Sequence, residues 1–150
     1  KIYDEYQEIR LGANTYQIVE RGIALKDEEF GISDKIRSYE FATPWLALNQ
    51  ENYKRFYALK GSEERDEFVR KILIGNIISM SKSLGYEVPA QIKCDTNLHF
   101  QKDRLKDVSV MTFTGKFHVN FLIPDYLGLG KSVSRGFGAV QQLTAGNDKV

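Results

Sequence analysis

The stretch MTFTGKFHVNF, residues 111–121, decides the fold because apolar and polar side chains alternate along it. Such alternation is typical of a β-strand that has one buried face and one polar face. The apolar side chains that cannot all be exposed are Phe113, Phe117, Val119 and Phe121. The side chains expected on the opposite face are Thr114, Lys116, His118 and Asn120. The pattern predicts a strand over about residues 108–123.

Three further segments have the composition of strands and are bounded by turn residues. They cover about residues 37–42, 90–100 and 137–143. The charged residues 103–107 are expected to form the turn that joins the segment at 90–100 to the strand at 108–123. Those two strands would then be antiparallel neighbours. Residues 26–35 are predicted to be a polar connector ahead of the first strand.

Two helices are predicted between the strands at 37–42 and 90–100. Residues 63–84 carry apolar side chains at helical spacing, follow Ser62 as N-cap and end at Gly85. Close packing onto a sheet would explain why Gly75 is found inside this helix. A shorter helix is expected after Asn49, and its buried side is expected to carry Tyr53, Phe56 and Tyr57.

The order of elements is therefore strand, helix, strand, strand, and a last strand after a glycine-rich loop. This order predicts an α+β fold in which helices cover one face of an antiparallel sheet, and a ferredoxin-like arrangement fits it best. Ahead of these elements, residues 1–11 have the pattern of a helix end and residues 15–25 that of a strand.

Bulk composition excludes several classes of protein. The chain has 150 residues, the size of one typical domain, and its longest apolar run is too short to span a bilayer. Its single cysteine, Cys94, cannot form an internal disulfide, which favours a cytoplasmic location. Cys94 is expected to be a small strand residue rather than a nucleophile. The sequence also lacks the clustered His, Cys or carboxylate residues of a metal site.

The distribution of charge is compatible with a bound polyanion, although the net charge is only +1. Residues 1–34 hold eight acidic and four basic residues, whereas the other 116 hold 17 basic and 12 acidic residues. An acidic first segment followed by a mildly basic body suits a local phosphate-binding groove.

Residues 128–138 read GLGKSVSRGFG, in which two Gly-hydrophobic-Gly triplets bracket two cations and two serines. Glycine allows positive φ and close approach of another backbone, and exposed N–H groups with an arginine suit a phosphate. A nucleotide P-loop would need glycine in place of Asp125, and the dinucleotide fingerprint would need glycine in place of Val133. The stretch is therefore either an anion-binding loop or a simple turn between two strands.

Three stretches together resemble one family. They are YEFATPWLALNQENY at 39–53, KILIGNIISMSKSLG at 71–85 and NFLIPDYLGLGKSVSRGFGAV at 120–140. The combination is similar to the CRISPR-associated endoribonucleases that cut repeat RNA into guide RNAs. These belong to the superfamily of repeat-associated mysterious proteins, and the similarity is to the subtype of archaea and clostridia. The resemblance covers most of residues 15–143.

The resemblance implies two ferredoxin-like domains with repeat RNA bound across them. Residues 1–34 would be the end of the first domain and its connector, residues 35–143 the C-terminal RNA-binding domain, and residues 144–150 a tail. Cleavage would need no metal and no cofactor, because a ribose 2′-hydroxyl attacks the adjacent phosphate and leaves a cyclic phosphate and a free 5′-hydroxyl. The catalytic histidine of such enzymes usually lies in the first domain, so it is expected outside this chain.

The predicted site follows from the loop and the resemblance together. The residues expected to bind RNA are Gly128, Gly130, Lys131, Ser132, Ser134, Arg135, Gly136, Gly138 and, on the polar strand face, Lys116. His118, on the same strand face, is the candidate catalytic residue within the chain, whereas His99 is interpreted as a surface residue.

Repeat RNA is the expected partner, with other CRISPR complex subunits or a second copy of the chain as further possibilities and no membrane. A noncatalytic subunit that holds RNA or a partner protein is the alternative function.

Overall fold

The computed structural model describes residues 30–143. Its elements, in chain order, are β1 (Gly31–Phe41), α1 (Gln50–Ala58), α2 (Ser62–Ser83), β2 (Cys94–Leu105), β3 (Val108–Leu122), a 3₁₀ turn (Val133–Arg135) and β4 (Val140–Gln142). The helix and strand predicted within residues 1–25, the greater part of the predicted first segment and the tail at 144–150 lie outside the described residues.

The strands form one antiparallel sheet in the order β2-β3-β1-β4. Helices α1 and α2 lie in the connection from β1 to β2, and β3 is placed between those two strands. This is the split βαβ arrangement of the ferredoxin-like fold, so the predicted α+β class is confirmed. Where that fold has its second helix, between β3 and β4, this chain has the glycine-rich loop with only the 3₁₀ turn.

Strand β3 has the two faces that its alternating sequence predicts. Its fully buried apolar side chains are Met111, Phe113, Phe117, Val119 and Phe121. The side chains of Thr114, Lys116, His118 and Asn120 point to the other face and are exposed or half-buried. Helix α2 contributes Val69, Leu73 and Ile77 to the same core as the buried residues of β3.

Three expectations for the helices are wrong in detail. The N-cap of α2 is Gly61 rather than Ser62, and the Glu64 carboxylate accepts a hydrogen bond from the Gly61 N–H at 3.2 Å. Gly75 is exposed, and a Cβ built on it would meet no atom within 4 Å, so close packing does not explain it. In α1 Phe56 is buried and Tyr53 is half-buried against the core, as expected, whereas Tyr57 points towards solvent and is 39% exposed.

Strands β1 and β2 extend beyond the predicted bounds at one end, whereas β2 begins only at Cys94 and β4 covers only Val140–Gln142. Residues 31–35 belong to β1 rather than to a connector, because Gly31 and Ile32 pair with the end of β3. The register then shifts before Arg37, so the intervening residues leave the regular ladder. Strand β2 continues to Leu105, and the turn is confined to Lys106 and Asp107. Both have positive φ, as a two-residue hairpin turn requires.

Among the helices of residues 30–143, none combines the length and the apolar character that crossing a bilayer requires.

Candidate functional site

The segment after β1, residues 43–46, is the surface on which the glycine-rich loop packs, and we call it the seat. Trp45 exchanges two backbone hydrogen bonds with Phe113, at 2.8 and 2.9 Å, and therefore takes the place beside β3 that β1 has left. Its indole is fully buried and its Nε1 donates to Asn76 Oδ1 on α2 at 2.9 Å. A tryptophan bonded in this way to both a strand and a helix gives the seat a fixed position.

The loop, residues 128–138, is hydrogen-bonded onto this seat. The Gly138 N–H donates to Pro44 O at 2.7 Å, and the Lys131 N–H donates to Leu46 O at 3.0 Å. The N–H of Ala139, the residue after Gly138, donates to Thr43 Oγ1 at 2.9 Å. The two most distinctive stretches of the sequence, TPWLALN and the glycine-rich loop, are therefore parts of one structural unit.

Three of the four glycines are required by this packing. A Cβ on Gly138 would lie 2.0 Å from Leu129 O, and one on Gly130 would lie 2.5 Å from Trp45 Nε1. A Cβ on Gly128 would lie 2.3 Å from the Val133 side chain. Gly128 and Gly138 are themselves buried. We call these three glycines the loop base, and its function in the structure is close packing.

The remaining part of the loop, Lys131 to Arg135, faces solvent, and we call it the loop tip. Lys131, Ser134 and Arg135 are exposed, and Ser132 is half-buried. Ser132 has a left-handed backbone with φ of 58°, and it starts the 3₁₀ turn. Within residues 30–143 the N–H groups of Ser132, Val133 and Ser134 form no hydrogen bond.

This arrangement suits an anion. Three successive N–H groups without an acceptor can bind the oxygen atoms of a phosphate, and two cations flank them. The backbone of Gly136 closes the tip with φ of 94° and open space around it. The tip residues predicted from the sequence are thus brought together, whereas Gly128 and Gly138 belong to the loop base.

Lys116 and His118 belong to the polar face of β3. His118 Nδ1 is hydrogen-bonded to Ser38 Oγ at 2.9 Å, and Asp95 is its cross-strand neighbour on β2. Lys116 is placed between Asn97 and Glu40. Within the part of the chain that the structure describes, no hydrogen bond connects either residue to the loop tip.

The other histidine and the cysteine of the described residues lie on β2. His99 is exposed on β2, opposite Thr114. Burial raises the pKa of the Cys94 thiol to about 12, so at neutral pH it is protonated and a poor nucleophile. Residues 30–143 contain no group of three or more His, Cys, Asp or Glu side chains that could hold a metal ion.

A groove beside the loop tip was not foreseen from the sequence. Its volume is about 620 Å³, and Lys131, Tyr53 and residues 108–111 line it together with the start of α1. These segments are distant in the sequence, so no local pattern could have indicated the groove.

Comparisons with known proteins identify a family and a relative. The model of the Cas6b C-terminal domain family matches residues 31–143. The chain is 40% identical over 136 residues to uncharacterized protein MJ0978 of Methanocaldococcus jannaschii. The aligned residues cover 89% of this chain and 91% of that protein.

Solved structures give the same result. The fold is similar to a crystal structure of Cas6b and to a crystal structure of CRISPR RNA processing endoribonuclease Cas6b. Each is 45% identical, has a TM-score of 0.74 and covers 77% of this chain. The chain spans only 59% and 58% of those two proteins. The resemblance inferred from the three sequence stretches is confirmed, and the chain belongs to the Cas6b C-terminal domain family.

Proposed function

We propose that this chain binds the sugar–phosphate backbone of CRISPR repeat RNA through its loop tip. The observation that carries the proposal is the cluster of three unbonded N–H groups between the side chains of Lys131 and Arg135. Contacts to phosphate give affinity and fix the position of an RNA without reading its sequence. A similar solved protein is named as a CRISPR RNA processing endoribonuclease, which makes repeat RNA the preferred polyanion.

The proposed reaction of the complete protein is metal-independent cleavage of that RNA. Attack of a ribose 2′-hydroxyl on the adjacent phosphate needs a base, an acid for the leaving oxygen and cations for the crowded phosphate. The loop tip holds the RNA near the reacting phosphate. We place the base and acid outside the described residues, because His118 Nδ1 is already hydrogen-bonded to Ser38 Oγ.

The loop tip can be tested by measuring RNA affinity as a function of salt. Replacing both cations, Lys131→Ala with Arg135→Ala, is expected to raise the Kd for repeat RNA by about 10- to 100-fold. The slope of log Kd against log salt is expected to fall by about two, since each cation that contacts a phosphate contributes about one. A matched control removes two exposed lysines of α2, Lys71→Ala with Lys82→Ala. An unchanged Kd for the loop variant at several salt concentrations would exclude the proposed contact.

Cleavage is tested separately from binding. Incubation of the complete protein with repeat RNA in EDTA should give one cut with a cyclic phosphate end, and His118→Ala should leave that cut in place. If no specific cut appears while binding persists, the chain is a noncatalytic RNA-binding subunit, which is the alternative function. Association with other CRISPR subunits and dimer formation are further proposals, for which mass measurement of the RNA complex is the test.

A further inference from the structure

A second surface with the chemistry of RNA binding lies at the junction of α1 and α2, above β2. It encloses a cavity of about 230 Å³ with three phenylalanines in its lining. Phe56 and Phe113 are 1% and 2% exposed and form the inner wall, whereas Phe100 is 45% exposed. The Phe100 ring meets the Phe56 ring edge to face, with centroids 5.3 Å apart. Phe100 therefore keeps part of its ring surface available to a ligand.

The edge of the cavity carries two cations, Arg65 and Lys60, and one carboxylate, Asp66. The Arg65 guanidinium lies over the Phe56 ring, 4.8 Å from its centroid, and Nε donates to Leu59 O at 3.0 Å. This hydrogen bond uses only the Nε donor of the guanidinium, so the N–H groups of its two terminal nitrogens remain for other acceptors. Lys60 also borders the cavity, together with Asp66, an exposed carboxylate that can accept hydrogen bonds.

Aromatic rings and cations alternate between the loop tip and this cavity. Lys131 shares the 620 Å³ groove with Tyr53, whose ring is 5.0 Å from that of Tyr57. Lys102 Nζ lies 5.6 Å from the Tyr57 ring, and the Arg65 guanidinium carbon lies 5.8 Å from the same ring. Rings and cations therefore lie along the surface from the loop tip to the cavity, together with the carboxylates of Glu51 and Asp66.

We propose that an unpaired nucleobase of the bound RNA enters this cavity and stacks on Phe100. The proposal rests on the proposed RNA-binding function of the chain and adds a second contact. Proteins that bind single strands combine cations along the backbone with aromatic rings under the bases. The cavity is smaller than the roughly 300–1,000 Å³ of sites for drug-sized ligands, so it suits a single base.

The charge of the surface favours RNA over a protein side chain as the occupant. An aromatic residue of a partner protein would use the rings but not Lys60 and Arg65 at the cavity edge or Lys102 beside Tyr57, which together outnumber the one lining carboxylate, Asp66. A nucleotide uses both, because its base stacks and its phosphate is anionic.

The experiment compares two RNAs on the full chain. The probes are a fluorescently labelled uridine oligonucleotide and the same oligonucleotide with abasic sites in place of its uracils, with Kd measured by anisotropy. Phe100→Leu, which keeps apolar volume but removes the ring, is expected to raise the Kd of the intact oligonucleotide about 10-fold. It should leave the Kd of the abasic oligonucleotide unchanged. The matched control is Ile78→Ala, an apolar residue of α2 with a similar exposure of 38%.

The outcomes separate this inference from the loop proposal. The loop variant Lys131→Ala with Arg135→Ala should raise the Kd of both oligonucleotides, because phosphates are present in both. If Phe100→Leu has no effect on the intact RNA, or weakens both RNAs equally, the base pocket is wrong while the loop proposal stands. If only the loop variant has no effect, the loop proposal fails and the pocket stands. Capture of a partner protein that is lost in Phe100→Leu, with RNA binding unchanged, would also overturn the pocket.

Lys102→Ala supplies a second test that does not alter the cavity wall. Lys102 is an exposed residue of β2, so its removal should leave the fold intact. It is expected to weaken the intact oligonucleotide by about 3-fold and to reduce the salt slope by about one. Lys82→Ala, which removes the same charge from the end of α2, should change neither quantity, and equal effects of the two variants would contradict a defined path.

Discussion

The loop base and the loop tip differ in what their residues contribute, although they are neighbours in the sequence. At the base, glycines are found where a side chain would collide with Trp45, Leu129 or Val133. At the tip, space is open, cations are exposed and N–H groups have no acceptor within the described residues. The difference teaches that a single motif can combine a structural part with a binding part. Variants of the two parts should therefore affect stability and RNA affinity separately.

The largest expected effect is that of a methyl group at the loop base. In Gly138→Ala the new Cβ would be 2.0 Å from Leu129 O, and the backbone φ of 76° would be strained. Because strain and overpacking each cost about 1–3 kcal/mol, we expect the free energy of unfolding to fall by about 3–5 kcal/mol. Urea unfolding followed by circular dichroism gives this quantity.

Gly136→Ala, at the residue that follows the loop tip, is the matched control. Gly136 has a similar φ of 94°, but no atom lies within 4 Å of its built Cβ. Only backbone strain remains, so a loss of about 1–2 kcal/mol is expected. Equal losses for the two variants would mean that the base is not more tightly packed than the tip.

A smaller effect is expected where the chain leaves β3 and approaches the loop. The buried Tyr39 hydroxyl donates to Phe121 O and accepts from the Ile123 N–H, both at 2.8 Å. Burial raises the pKa of Tyr39 from its usual value near 10 to about 12. The pKa of Tyr39 is higher in the folded protein than in the unfolded chain. The neutral, buried hydroxyl therefore contributes its full stabilisation of the fold below about pH 10, and this contribution is lost as pH rises towards 12. The expected loss in that window is about 2 kcal/mol.

Unfolding in urea at a series of alkaline pH values tests this expectation. The measurement is best made in a Cys94→Ala background, because the pKa of Cys94 is also raised by burial. Adding Tyr39→Phe should lower stability at neutral pH and flatten the profile above about pH 10. A profile that stays equally steep would mean that the titration of Tyr39 does not cause the loss of stability at alkaline pH.

How much of this could be predicted from the sequence depends on whether the signal is local. The alternation around Phe117 and the helical spacing of residues 63–84 are local, and both elements are found nearly where predicted. The short polar start of β1 has no such pattern. It is a strand only because Gly31 and Ile32 find partners at the far end of β3.

The division of the loop could not be predicted for the same reason. In the sequence its four glycines look alike, and the notion that all of them contact RNA follows naturally from that likeness. What separates Gly138 from Gly136 is the position of Leu129 and of the segment at Pro44, about 90 residues earlier in the chain. The cavity at Phe100 likewise depends on the placement of α1 and α2 over β2.

The smallest expected effect is an increase in stability when Ser132 is replaced by glycine. Ser132 has a positive φ, which glycine adopts with less strain. Ser132 has φ of 58°, which costs a residue with a side chain about 1–2 kcal/mol. Ser132→Gly should relieve that strain, offset in part by the greater freedom of glycine in the unfolded chain. A net gain of about 0.5 kcal/mol in the free energy of unfolding is expected.

Ser134→Gly is the comparison that makes the result interpretable. Ser134 lies inside the 3₁₀ turn, so glycine there should cost about 0.5–1 kcal/mol instead of stabilising. Both variants remove one hydroxyl that is proposed to contact the RNA, and both should raise the Kd for repeat RNA by a few fold. A serine whose removal stabilises the protein but weakens RNA binding would show that strain is tolerated at the tip for binding. If Ser132→Gly lowers both stability and affinity, Ser132 belongs with the loop base, and the boundary between the two parts has to move beyond it.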